Sequence, residues 1–262
     1  MGGISIKSAY ITDRGLQYDR RFLLVDEYNS FLTQRAFPKM ALLQTAIEDD
    51  KLLIFQKNAN DDKLVLPLSP VPDSKNILVK IWDDDCEAQL VSKEADEWFS
   101  KKLNRFCRLV YMPQSTKRKV DIRYAFNNDI TSFSDAFPLL IIGQSSLDDL
   151  NSRLTEPLPI NRFRPNIVFT GGTPFQEDVM EHFTINGFDF YCVKPSARCV
   201  ITTTDQETGI AGKEPLKTLS AYRSKNNKVY FGQNLLIKGK GKMNVGDEIE
   251  IIKESKISFL SA

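Results

Sequence analysis

The feature that most constrains this chain is the rhythm of its first ninety residues. Short apolar runs recur at close, even intervals, and turn-forming residues separate them. Residues 4–11 (Ile-Ser-Ile-Lys-Ser-Ala-Tyr-Ile) alternate apolar and polar, the period of a half-buried strand. Asp13-Arg14-Gly15 reads as a turn, and residues 18–26 as a second strand with Arg20 and Arg21 ahead of Phe22-Leu23-Leu24-Val25. A strand starting at Phe31 is interrupted by Pro38, and residues 40–48, 52–56, 63–66 and 76–82 continue the series. Strands this short cannot each bury an apolar face alone. They must curl against one another, which predicts a β-barrel or sandwich.

The first helical pattern comes at residues 93–103, where Ala95, Trp98, Phe99 and Leu103 share a face and Ser92 stands as N-cap. Residues 107–112 return to strand. The polar, basic connector at residues 113–119 marks a shift in composition, so the expected domains are 1–115 and 116–262. In the second part, residues 137–142 read as a buried strand. A helix carrying Leu147, Leu150 and Leu154 follows, capped by Ser145 or Ser146. A strand over 160–170 and a hairpin over 183–193 turning at Asn186-Gly187 come next. Residues 216–223 form a short helix or turn, and 229–238 and 247–252 are strands.

Composition narrows the function classes. With 35 Lys and Arg against 34 Asp and Glu, the net charge of +1 predicts no broad footprint for a nucleic-acid duplex. No apolar run approaches the ~18 residues that a membrane helix needs, and the opening lacks the pattern of a secretion signal. Cys86, Cys107, Cys192 and Cys199 form no paired motif, which fits reduced thiols and a cytoplasmic location. His182, the sole histidine, reads as an ordinary surface or half-buried residue, and no Gly-x-Ser-x-Gly elbow accompanies it. Asp83-Asp84-Asp85 lacks the spacing of a calcium loop and reads as a solvated turn.

Two groups of residues remain as candidates. Cys199 stands beside Arg198 and before Val200-Ile201; it is either a packing residue or a thiolate, nucleophile or metal ligand, whose reactivity a neighbouring cation favours. Arg162 and Arg164 would share one face of a strand, facing either surface carboxylates or a bound anion. Arg20 and Arg21 pose the same choice.

Taken in order, several stretches resemble one family. They are residues 12–20 with Phe22-Leu23-Leu24-Val25-Asp26, Leu32-Thr33-Gln34-Arg35 with Pro38, and Phe133-Ser134-Asp135 with Pro138. Further on come Ser146-Leu147, Phe163-Arg164-Pro165-Asn166-Ile167-Val168, Arg198-Cys199 with Thr202-Thr203 and Asp205, and Glu214-Pro215-Leu216. Phe231-Gly232-Gln233-Asn234 and Val245-Gly246-Asp247 complete the series. Together they resemble the MOSC family (molybdenum cofactor sulfurase C-terminal domain) with its preceding N-terminal β-barrel domain. Within it the chain is similar to amidoxime-reducing proteins and to bacterial proteins that detoxify N-hydroxylated bases. The resemblance implies a mainly β fold with a few short helices, the barrel-like N-terminal domain packing on the MOSC domain.

It also implies a molybdenum–pterin cofactor (Mo-molybdopterin) whose metal is held by the pterin dithiolene and by Cys199, with Arg20, Asp135, Arg164, Arg198 and Asn234 as further cofactor contacts. Ser196 stands where many relatives carry a second cysteine that is not the metal ligand. The implied activity is two-electron reduction of hydroxylamines, amidoximes and N-hydroxylated bases, fed by a separate donor of ferredoxin or flavin reductase type. A carrier of cofactor or sulfur, or a barrel without cofactor, is the alternative. Pyridoxal phosphate binding is a further association of the wider family. Relatives commonly open with one more strand, ending in a Pro-Ile-Lys-Ser-type segment that helps to hold the phosphate. This chain begins at Met1-Gly2-Gly3-Ile4, after that strand. Natural sheets avoid such an unpaired edge, so the expectation is a start assigned downstream of the true one. The protein is then expected to purify partly or wholly without cofactor.

Overall fold

A computed structural model describes residues 1–57, 59–70, 76–258 and 260. It is β-rich, as the strand rhythm predicts, with three short α-helices among the described residues. In the N-terminal part, Phe22–Val25, Arg108–Tyr111, Asp84–Leu90 and Asn76–Ile81 form an antiparallel sheet in that spatial order, and Leu43–Glu48, Lys51–Gln56 and Ala59–Pro67 form a meander. Leu32, Met40, Leu43, Ile54, Leu64, Phe99 and Leu109 fill the core between them. The helix Lys93–Leu103 closes this core. Ser92 Oγ accepts the Ala95 amide at 3.1 Å, and Asn104 ends the helix in the left-handed conformation at φ 48°.

The second part is built on a seven-stranded sheet. Its spine is Lys228–Lys238 between Leu139–Gly143 and Phe188–Arg198, and the outer strands are Ile167–Phe169, Met180–Ile185 and Ile249–Glu254, with Ser224–Lys225 on the spine's end. Asn186 and Gly187 turn the hairpin at φ 49° and 78°, the geometry that an Asn-Gly pair adopts at low cost. Ser8–Thr12 pairs with Gly241–Asn244, so the first strand is stitched to a strand near the end of the chain. No described helix is long and apolar enough to cross a membrane.

Four local expectations need correction. Residues 160–170 are not one strand. Ile160–Arg162 is a 3-10 turn, Arg164 is left-handed at φ 56° immediately before Pro165, and only Ile167–Phe169 pairs. Arg162 and Arg164 therefore do not share a face. Residues 18–26 reduce to Phe22–Val25, because Tyr18 and Arg20 take positive φ (67° and 50°) in a turn. After isolated bridges at Ser30 and Phe31 the chain turns at Thr33 rather than continuing as a strand. Neither Ser145 nor Ser146 caps the helix Gln144–Ser152; Gly143 stands at the N-cap with no side-chain bond.

Ser146 is used differently. Its Oγ donates to Glu177 Oε2 at 2.7 Å and accepts the Phe175 amide at 2.7 Å. Glu177 is fully buried, and its Oε1 has no partner. Burial raises its pKa above the ordinary value of 4.5, so the native state holds this proton more tightly than the unfolded chain. The associated stability is present at low pH and is lost as pH rises through the folded value. Glu177→Gln, neutral throughout, is expected to melt above wild type at pH 8 and to converge with it as pH falls to about 4.5. Melting curves across that range check this, and parallel curves would contradict it.

Candidate functional site

Where the central sheet meets the N-terminal part, it opens into a cavity of about 320 Å³. Cys199 sits at its edge, at the point where the strand Phe188–Arg198 passes into the 3-10 turn Val200–Thr203. The Cys199 carbonyl accepts the Thr202 amide at 3.1 Å and the Thr202 hydroxyl at 2.9 Å. Arg162, nearly buried, then fixes the turn from behind. It donates to the Thr203 carbonyl at 3.0 Å and to Asp205 Oδ2 at 2.9 Å. Arg162 is thus a brace for the Cys199 turn, and it faces away from the cavity.

All six residues expected at the site line this one cavity: Arg20, Asp135, Arg164, Arg198, Cys199 and Asn234. Arg20 and Arg164 reach it through left-handed backbone, a conformation that costs a non-glycine residue ~1–2 kcal/mol. Asp19 pairs with Arg20 and accepts from Asn166 Nδ2 at 2.8 Å. Arg164 Nη1 donates to the Met1 carbonyl at 3.0 Å. Arg198 lies over the Phe163 ring, 5.4 Å from its centroid, and donates to the Phe163 carbonyl and to Ser196 Oγ. Asn234 Nδ2 holds the Lys194 carbonyl at 3.1 Å.

The cavity is strongly cationic. Arg20, Arg164, Arg198 and Lys194 line it against the single carboxylate of Asp135. Burial, reinforced by the nearby Arg20, pushes the Arg164 guanidinium down to about 10. Arg198 is also pushed down to about 10, by burial and then by Arg164 and Arg20, although Cys199 and Asp135 oppose this. Both groups remain charged at neutral pH. Arg198 Nε is buried without a hydrogen-bond partner. Three converging guanidiniums with an unmet donor favour an anion, and planar guanidinium forks suit phosphate and carboxylate.

Two residues with a clear part in this geometry escaped sequence reasoning as site residues. Arg35, from the N-terminal part, donates through Nη2 to Cys199 Sγ at 3.3 Å. Its guanidinium lies 4.4 Å above the Trp82 ring, and Trp82 Nε1 donates to Asp135 Oδ1 at 3.3 Å. The second is Arg118. It gathers the carbonyls of Ser132, Ser134 and Asp135 while pairing with Asp84, and so sets the segment that presents Asp135. The only signal for Arg35 lay in Leu32-Thr33-Gln34-Arg35, whose place in the fold could not be read without the contact itself. Of the other candidates, Arg21 is bound to the Met112 carbonyl, and His182 pairs with Asp189 at 2.7 Å and stacks on Tyr191. Asp84 of the acidic run is the partner of Arg118.

A profile of the MOSC N-terminal beta barrel domain matches residues 1–105, and one of the MOSC domain matches residues 128–250. Mitochondrial amidoxime-reducing component 1 of Mus musculus is 31% identical, covering 95% of this chain and 78% of its own length. Mitochondrial amidoxime reducing component 2 of Bos taurus is 31% identical over 94% of this chain and 78% of its own length. Molybdenum cofactor sulfurase of Oryza sativa subsp. japonica is 33% identical over 88% of this chain, but over only 30% of its own length.

Proposed function

Because the chain belongs to the MOSC family, we propose that its cavity holds a molybdenum–pterin cofactor and that the protein reduces N-hydroxylated compounds there. The observation that carries this reading is the convergence of one thiol, Cys199, and three guanidiniums, Arg20, Arg164 and Arg198, on a single cavity. A soft thiolate suits a metal already bound by sulfur, and the guanidiniums suit the phosphate of the pterin. The residues present fit the group.

In this reading Cys199 is a ligand rather than a nucleophile. Arg20 and Arg164 would hold the phosphate end by charge. Arg198, fixed on Phe163, would add its charge toward the same anion. Asn234 keeps the Lys194 backbone in place along the cavity wall, and Arg35 donates to the Cys199 sulfur from the N-terminal part. When bound, the cofactor supplies a two-electron couple for removing the oxygen of an N–OH bond as water. The balance is R–NHOH plus two electrons and two protons, giving R–NH2 and water. The electrons come from a separate protein donor of ferredoxin or flavin reductase type.

The test is reconstitution. The purified chain is loaded with Mo-molybdopterin, its molybdenum is measured by elemental analysis, and reduction of an N-hydroxylated purine is followed with reduced methyl viologen. Near-stoichiometric metal with turnover supports the proposal, and metal-free protein after loading refutes it. The same assay on protein as purified tests the expectation that it emerges partly or wholly without cofactor. The likeness to the rice molybdenum cofactor sulfurase supports a second reading, transfer of cofactor or sulfur. A persulfide on Cys199 by mass spectrometry, without turnover, would favour that reading.

A further inference from the structure

Opposing charges nearly balance in this chain, 35 against 34, so any local surplus of lysine is an asymmetry of placement. One lies outside the cavity. A second, more open cleft of about 680 Å³ is lined by Lys117, Lys119 and Lys240 together with Asp13 and Asp129. Both carboxylates are already engaged. Asp13 pairs with Arg14 at 3.3 Å and Lys117 at 3.6 Å, and Asp129 accepts the amides of Phe126 and Asn127 at 2.8 and 3.2 Å. Lys119 and Lys240 are exposed, as is Lys238, whose ammonium lies about 5 Å over the Phe126 and Tyr191 rings.

The segment 121–129 beside this cleft exposes apolar side chains where a loop would ordinarily be polar. Ile122 is 88% exposed and Phe126 48%. Its inner side packs behind the wall of the first cavity. Tyr124 packs edge-on against Phe137 at 5.6 Å, and Lys194 Nζ lies 4.5 Å over the Tyr124 ring. Phe137 and Lys194 both line that cavity. The segment that carries the apolar face thus packs, through Tyr124, directly behind two residues of the candidate redox site's wall.

We propose that this face docks an acidic one-electron carrier of the ferredoxin kind, the lysines steering it and Ile122 and Phe126 forming the dry centre of the contact. A small apolar centre with a charged rim is the anatomy of a transient interface, and opposed charge raises the encounter rate. A bilayer surface is the less suited occupant, since the lysines line a concave cleft and the face backs on the cavity wall. This inference rests on the redox reading of the cavity. Two reduced carriers each deliver one electron in turn. With two protons, the N–O bond of R–NHOH breaks, one N–H bond forms, and the oxygen leaves as water.

The experiment uses the full chain, loaded with cofactor, and reduced plant-type [2Fe–2S] ferredoxin as probe. Calorimetry at low and high salt reads binding, and stopped-flow oxidation of the ferredoxin reads electron transfer. The paired variant Lys119→Glu/Lys240→Glu is expected to bind at least about tenfold more weakly at low salt and to lose most of the salt dependence. Ile122→Ser should weaken binding at both salt levels. Viologen-driven turnover and melting temperature should stay at wild-type values in both variants. Equal binding by wild type and the charge-reversed variant overturns the proposal. So does an absence of ferredoxin binding, or retention on phosphatidylserine vesicles in its place. Failure of the redox reading is separately visible, as lack of viologen-driven turnover in wild type, because calorimetry reads docking without turnover.

Discussion

Cys199→Ala is expected to remain folded, to hold no molybdenum after loading and to reduce N-hydroxylated substrate only at background. Cys199 is the sulfur donor among the residues that line the cavity. Its removal takes away the proposed metal ligand and would leave the guanidiniums to hold the proposed cofactor's phosphate alone. The fold should tolerate the change. The thiol is only partly buried and accepts one hydrogen bond, from Arg35, which keeps its place over Trp82. Loss of one such bond costs ~1 kcal/mol. Cys199→Ser should behave similarly, since a hydroxyl is a poor partner for a soft metal. Elemental analysis, viologen-driven turnover and a melting curve on the same preparation check all three statements. A variant that retains full metal and full rate would sink the assignment of Cys199.

The largest effect on stability is expected from Phe163→Ala. Phe163 is almost fully buried, stacks on Phe231 with centroids 4.3 Å apart, and belongs to the core that includes Leu140, Ile142, Leu147, Leu150 and Leu219. Truncating a phenylalanine so placed costs about 3–5 kcal/mol, through lost burial and the void left behind. The same ring is the platform under Arg198 and part of the cavity wall. Cofactor retention should therefore fall with stability. Phe163→Leu fills most of the volume and should recover much of the stability, but it has no π face for the guanidinium. Chemical denaturation measures the first effect. A cost below about 1 kcal/mol would show that the site is not founded on this core.

What could be read from the sequence was carried by neighbours in the chain. The Asn186-Gly187 hairpin, the Ser92 cap and the strand alternation depend on residues within a few positions of one another, where backbone preferences act directly. The six cavity residues were reached through a family resemblance, which carries an arrangement already assembled. Arg162 shows the limit of local reasoning. Alternation placed it with Arg164, but a 3-10 turn and a left-handed residue before Pro165 point the two in different directions. Ser146 shows it again, a plausible cap in sequence that instead serves a buried glutamate.

By itself, then, the sequence determined a β-rich chain of short strands and offered Cys199 and several arginines as candidates, which the family resemblance gathered into one expected site. Tertiary structure alone decided that Arg162 stands outside the cavity lining, apart from Arg164, and that Arg35 meets Cys199 across 164 positions. It also set a lysine-rimmed face behind the cavity wall. Periodicity and turn chemistry act over a few residues. A contact between distant residues exists only once the sheets have closed, because packing rather than any local preference selects it.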